Sequence, residues 1–363
     1  MKISCSRAAL AAALKSCAAV ADPRSPSPVL GMVKLEFIDG VLRCTATDIN
    51  VTLVANVEAT GEHGAALAPA VGIAKAADLL PGEEVSVEVS NSSVVLSTGR
   101  FKQVVPVGVG VADFPASPKL AGDWTTVDGA ALAAVLRGGL VAACQEETRW
   151  HLCGVMVEAS GGTISGRSTD GHRAHVVRRQ LGADLPPGII PSRGCERLIA
   201  LIGDAESVEI ACSDKYRHVR AGGSVLSVKI IEGAFPPFDQ IIPAVTGPGV
   251  VMDRAEIMAA MRRASLATDA MHGVVFRRRG TELAIEAQRK GDGFAAEEVH
   301  SVEVDGAEFA VCANPKYVSD AAKVLQADQV AMHFTGDLAP VAFTDAGGSV
   351  TTGDVVVIMP MRS

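Results

Sequence analysis

Of the polar residues in this chain, Ser168-Thr169-Asp170-Gly171-His172-Arg173 come nearest to a spacing that chemistry could use. A carboxylate two places before an imidazole can orient it as a general base, which would make Asp170 and His172 the core of a hydrolase. Such an enzyme also needs a nucleophile on a strained turn, a metal or a phosphate cradle. The chain has no H-E-x-x-H, no G-x-S-x-G, no G-x-x-x-x-G-K-[ST] and no G-x-G-x-x-G after a strand. Asp-Gly is a common tight-turn dipeptide, so a turn or a binding element is the stronger reading of these residues. The matching stretch earlier in the chain, Ala46-Thr47-Asp48-Ile49-Asn50, keeps Thr-Asp and lacks Gly-His-Arg. The shared pair is therefore expected to be structural, and Gly171-His172-Arg173 to be special to its own place.

Other candidates offer less. Trp150, between Arg149 and His151, is placed either to stack on bases or to cover a core edge, and its basic neighbours favour stacking. His333 lies in an alternating strand and reads as a packed or surface histidine rather than a ligand, while Arg277-Arg278-Arg279 before Gly280 reads as solvated charge at a hairpin tip. The eight cysteines form no C-x-x-C pair and no metal-ligand spacing, which fits a reducing cytosol. We expect no cofactor, no metal and no catalytic residue. The C-terminal Val355-Val356-Val357-Ile358-Met359-Pro360-Met361-Arg362-Ser363 is an apolar strand that Pro360 must stop. Its two methionines flank the proline and form a soft surface suited to varied partners.

The elements that position these residues come in triplicate. Ser6 to Leu14, Asp128 to Leu136 and Asp253 to Met261 each open on an N-cap residue and place large apolar side chains four apart. A second helix recurs at the same offset over 70–80, 192–202 and 315–325, introduced by Pro69, Pro191 and Asn314-Pro315. Each runs into an alternating strand, beginning at Val85, Val208 and Val330. Turn signals such as Asp39-Gly40 and Ser160-Gly161-Gly162 separate further strands. We read three α+β domains over 1–122, 123–246 and 247–363, each with two helices against antiparallel sheets.

Length and composition agree. The 363 residues suffice for two or three cores, and with aromatics at 4% those cores must be built from Val, Leu, Ile, Ala and Met. Lys2, Arg7 and Ala19-Val20-Ala21 resemble a signal peptide, but Lys15 breaks the apolar run and the same helix pattern recurs deep in the chain. No apolar run approaches the roughly 20 residues of a membrane span. The net charge of −8 is unevenly spread: the helical windows 6–17, 70–80, 128–143, 191–202, 253–268 and 314–325 total +5, leaving −13 elsewhere. Positive helices on an acidic body suit a nucleic-acid face confined to one surface.

Together, the three repeats, Arg149-Trp150-His151-Leu152-Cys153-Gly154, Thr169-Asp170-Gly171-His172-Arg173, Phe235-Pro236-Pro237-Phe238 with Pro243, and terminal Met359-Pro360-Met361-Arg362 resemble the bacterial DNA polymerase III beta subunits, or sliding clamps. The resemblance covers the whole chain. It implies three tandem pseudo-equivalent clamp domains in a head-to-tail homodimeric ring, helices lining the hole. It further implies a cytoplasmic, non-enzymatic processivity factor that encircles double-stranded DNA independently of sequence. Its partners would be the DNA polymerase III alpha subunit, other polymerases, the clamp-loader complex and linear clamp-binding peptides, with no membrane. A hydrolase using Asp170 and His172, and a diverged paralogue acting only as a protein scaffold, are the alternatives.

By the same resemblance, a peptide groove takes Leu152, Thr169, Gly171, His172, Arg173, Ala174, Pro236, Gln240 and Ile241 from one side. From the other it takes Asn314, Tyr317, Leu338, Pro340, Val357, Ile358, Met359, Pro360, Met361 and Arg362. DNA-facing residues map to Arg24, Gln145, Trp150, His151 and Arg193, and dimer contacts to Ile73, Ala77 and Leu80 against Leu266 and Met271. Ala174 stands where relatives often carry Leu, and Gln240 where many carry Arg, which alters the groove's rim.

Overall fold

The computed structural model describes residues 1–90, 93–107, 110–245, 249–268, 273–289, 293–302 and 308–361. Its six α-helices are α1 (Arg7–Val20), α2 (Ala70–Leu79), α3 (Gly129–Leu140), α4 (Ser192–Ile202), α5 (Arg254–Ala264) and α6 (Pro315–Val324). They fall where the repeat places them. Ser6 caps α1 by accepting from the Ala9 N–H at 3.4 Å. Asp128 accepts from Ala131 at 2.7 Å, Asp253 from Ala255 at 2.9 Å and Asn314 from Lys316 at 2.9 Å. These side chains satisfy N–H groups that a helix start leaves orphaned. No helix among the described residues is long and apolar enough to cross a membrane.

The chain divides into two compact units, residues 1–133 with 193–230 and residues 134–192 with 231–363. The middle repeat is thus shared between them. In the first unit a 12-stranded antiparallel sheet runs from edge strand Phe101–Pro106 through Lys2–Ser6 and Val51–Gly61 to Ser224–Lys229, and ends at Thr125–Asp128. Strand Val51–Gly61 is the hub, pairing with three neighbours at different points along its length. Leu10, Leu14 and Cys17 of α1 and Ile73 of α2 are buried in this unit.

The second unit has an 8-stranded antiparallel sheet from Leu185–Pro191 to Val250–Asp253 and a 4-stranded one with Ala295–Ser301 and Phe309–Ala313 at its edges. In the larger sheet Arg173–Gln180 pairs with the chain's last strand, Val355–Ile358, bringing Ala174 opposite Val357. Strand Val51–Gly61 meets Ser224–Lys229 in the same antiparallel manner in the first unit. Each unit is therefore built across a joint between successive repeats, by backbone hydrogen bonds that fix the register.

Candidate functional site

Strand Thr163–Thr169 passes to Arg173–Gln180 through a turn made by Asp170-Gly171-His172. Asp170 Oδ1 accepts from the N–H groups of His172 at 2.9 Å and Arg173 at 3.0 Å. The Thr169 hydroxyl donates to the Arg173 carbonyl at 2.7 Å and accepts from the Gly171 N–H at 3.1 Å. Gly171 has φ 88°, and a Cβ there would lie 2.8 Å from Arg149 Nη1. The first repeat builds the same turn. Thr47 Oγ1 donates to the Val51 carbonyl at 3.0 Å, and Asp48 Oδ1 accepts from Asn50 at 3.0 Å and Val51 at 2.7 Å. Ile49 takes the left-handed place at φ 80°. The Thr-Asp pair is the internal scaffold of a turn used twice.

Arg173 distinguishes the second copy. Its Nε donates to Asp170 Oδ2 at 3.0 Å and its Nη1 to Asp320 Oδ2 at 2.8 Å, while the guanidinium lies 4.3 Å from the centre of the Tyr317 ring. Asp320 also accepts from Lys316 at 2.7 Å and Lys323 at 3.2 Å. Burial by itself would raise the Asp320 carboxyl, but hydrogen bonds from Lys316, Arg173 and Lys323 outweigh it and hold the pKa at about 2. Next to Arg173, His175 is wholly buried, and its ring nitrogens make no well-directed hydrogen bond. Burial, reinforced by the Arg173 charge, brings it down to about 4, and nearby Gly138 backbone offsets this only in part.

The chain end is stitched to this turn. The Met359 N–H donates to the His172 carbonyl and the Met361 N–H to the Cys312 carbonyl, both at 2.8 Å. Val355–Ile358 is buried, and beyond it Met359 is 41% exposed; Leu338 is exposed as well, at 81%. Gly171, His172 and Gln240 are also exposed, whereas Pro236, Ile241, Asn314, Tyr317, Pro340, Pro360 and Met361 are half-buried. All of these residues belong to the second unit. Arg362 lies outside the described residues.

Several expected groove residues need correction. Leu152, Thr169, Arg173, Ala174, Val357 and Ile358 are buried. Ala174 and Val357 sit in a cluster with Val176, Phe238 and Ala342, covered by Phe235, Ile241 and Ile242. Sequence reasoning could not separate these layers, because alternate residues of a strand face opposite sides and both sides are covered here.

The residues expected to face DNA separate into two kinds. Arg24 is exposed and, with Asp22, Arg193, Glu196 and Arg197, lines an open cleft of about 400 Å³. Arg193 is tied down, pairing through Nε with Asp48 Oδ2 at 2.9 Å and donating to the Val20 carbonyl at 3.0 Å. It holds α4 to the end of α1 and to the first copy of the turn. Gln145 is exposed and His151 half-buried. Trp150 is 52% exposed, edge-on to His151 with ring centres 5.8 Å apart. Elsewhere, His333 is buried and bonded to Thr344 Oγ1 at 3.1 Å, as expected of a packed histidine. The Arg277–Arg279 run is not simply solvated: Arg277 pairs with Glu286 at 2.9 Å and Arg278 is buried.

Family models for the N-terminal, central and C-terminal domains of the DNA polymerase III beta subunit match residues 1–118, 126–237 and 239–362. The chain belongs to the bacterial DNA polymerase III beta subunit family. It is 29% identical to the beta sliding clamp of Synechocystis sp., covering 100% of this chain and 99% of that protein. With the Escherichia coli K12 beta sliding clamp it shares 27% identity over 93% of each. The Pseudomonas aeruginosa DNA polymerase III subunit beta superposes with a TM-score of 0.92 at 24% identity, covering 100% of both chains. A sliding clamp from Caulobacter crescentus gives 0.91 at 25%, also over 100% of both. Family membership makes the chain a processivity factor and not an enzyme. The hydrolase alternative is overturned, and geometry gives the reason. Both Asp170 oxygens serve the turn and Arg173, and no hydrogen bond joins them to the exposed His172 ring among the described residues.

The expected dimer contacts also change. Ile73, Ala77 and Leu80 are buried in their own domain and present little surface to a partner. The exposed face of α2 carries Val71 and Leu79 instead, and Leu266 is exposed as expected. Met271 lies outside the described residues. Two sheet edges escaped notice in the sequence. Edge strand Phe101–Pro106 exposes Phe101, Lys102 and Val104, and edge strand Ala295–Ser301 exposes Glu297 and Val299. Alternation of apolar with charged residues at these positions was the available signal.

Proposed function

We propose that two copies of this chain close head to tail around duplex DNA, and that the ring tethers polymerases through the groove beside Met359. The three repeats would be domains over 1–122, 123–246 and 247–363. Unpaired strand edges invite addition of a further strand. Phe101–Pro106 of one copy, with Lys102, matches Ala295–Ser301 of the other, with Glu297, in both apolar and charge character. The six helices, net positive on an acidic chain, would line the hole. Screened contacts between Lys or Arg and phosphate give attraction without a fixed register, so the ring can slide.

The tethering half of this reading rests on the chain end. Met359 and Met361 are held by backbone bonds to His172 and Cys312, which leaves a methionine surface next to the immobilised Arg173 and Tyr317. Such a surface suits a linear peptide with apolar anchors and a glutamine. The DNA polymerase III alpha subunit, other polymerases and the clamp loader would share it, in the cytoplasm. Tethering raises the polymerase's effective concentration at the primer end without new chemistry. The test is to titrate a Gln-x-Leu-x-Leu/Phe peptide against the wild type and a version lacking Met359 to Ser363. We expect at least about tenfold weaker binding by the shortened chain, on the order of 1.4 kcal/mol. Equal affinity would eliminate the groove.

A further inference from the structure

Eight cysteines are distributed through this chain, and two of them meet at one carbonyl oxygen at the ends of a short loop. The Cys153 thiol lies 3.2 Å from the Glu146 carbonyl oxygen, and the Cys144 sulfur lies 4.0 Å from the same oxygen. The Cys144 N–H bonds to the Leu152 carbonyl at 3.0 Å, closing the ends of the loop, and the Cys153 N–H bonds to the Trp150 carbonyl at 3.0 Å. Both sulfurs therefore contact the same carbonyl oxygen from opposite ends of the loop. Cys153 is partly exposed and Cys144 buried, so one sulfur meets solvent and the other waits behind it. We propose that Cys144 and Cys153 form a reversible intramolecular disulfide when the protein meets a peroxide.

The chemistry balances in two steps. Hydrogen peroxide takes the Cys153 sulfur to a sulfenic acid and releases one water. The Cys144 thiol then attacks that sulfur, expelling a second water and leaving the disulfide. Burial pushes the Cys153 thiol up, Cys144 and Glu147 add to this, and Arg149 opposes it. Little thiolate is therefore present at neutral pH, and the first step asks for sustained exposure. Other cysteines are poorer candidates. Cys5, Cys17 and Cys44 are buried in the first unit, and burial raises the first two to about 11 and about 12. The loop that the disulfide would close contains Gln145, Trp150, His151 and Leu152, so oxidation would fix residues proposed above to face DNA and to border the groove. The thiol chemistry itself does not depend on that proposal.

The experiment is non-reducing peptide mapping of the full-length native protein before and after millimolar hydrogen peroxide. The expected product is a Cys144–Cys153 cross-linked peptide, lighter by two hydrogens, that dithiothreitol reverses. In a Cys144→Ser variant, Cys153 should stop at the sulfenic acid and be captured by dimedone. The wild-type map decides the matter even if that variant folds poorly. Recovery of both thiols fully reduced would overturn the proposal. So would a cross-link from either one to a different cysteine, or oxidation of Cys153 to a sulfinic acid with Cys144 left free.

Discussion

Replacing Arg173 with alanine should cost stability and peptide binding together. The substitution removes the bonds to Asp170 at 3.0 Å and Asp320 at 2.8 Å, and the stacking on Tyr317 at 4.3 Å. Breaking a buried ion pair costs about 3–5 kcal/mol when it leaves a lone charge. Here the charges left behind keep partners. Asp320 retains Lys316 and Lys323, and Asp170 retains two backbone N–H groups. That points to the lower end, about 3 kcal/mol, of which the aromatic contact supplies roughly 0.5–1 kcal/mol. Urea denaturation gives the stability, and a double-mutant cycle with Asp320→Asn isolates the coupling. The binding isotherm of the same variant reports whether the Tyr317 ring and the Met359 surface remain placed. A loss below about 0.5 kcal/mol would mean that the pair is solvated like an ordinary surface bridge, and would refute the buried network.

Three further outcomes follow from the same structure. His175 is held at about 4 by burial and Arg173, below its ordinary value of 6.5, so the folded state resists its protonation. Its contribution should be complete above pH 6.5 and fall by up to about 3 kcal/mol as pH drops towards 4. A His175→Gln variant assayed across pH 4–7.5 should lose that slope, and an unchanged slope would place its origin elsewhere. At the strand edge, Val104→Glu should yield monomers by sedimentation with little change in stability. Ile73→Ala should instead destabilise the fold by roughly 2–5 kcal/mol, because it opens a cavity. If Ile73→Ala dissociates the dimer without weakening the fold, our placement of the interface is wrong.

The repeat was legible because it rests on short-range chemistry. Ser6, Asp128, Asp253 and Asn314 announce helix starts whatever lies around them, and the second helices begin at Ala70, Ser192 and Pro315 as the proline signals require. The duplicated Thr-Asp turn was legible for the same reason. Its hydrogen bonds close within five residues, at Thr47–Val51 and Thr169–Arg173. What could not be read was which side of an element faces outward. Ile73 and Ala77, which the family resemblance assigns to the dimer contact, are buried in the core while Leu79 is exposed. Arg193 looks like a free cation, yet Asp48 lies 145 positions earlier in the chain and claims it. Such facts depend on contacts distant in sequence, and no local pattern encodes them.

The central claim is topological, so the decisive measurement is too. The protein should be loaded by a cognate clamp loader onto a nicked circular plasmid, freed of unbound protein by gel filtration, and followed as the plasmid is cut once. A closed ring predicts stable retention on the circle and rapid loss from the ends after cutting. Equal retention on circular and linear DNA would mean that the protein grips DNA rather than encircling it, and would contradict the account.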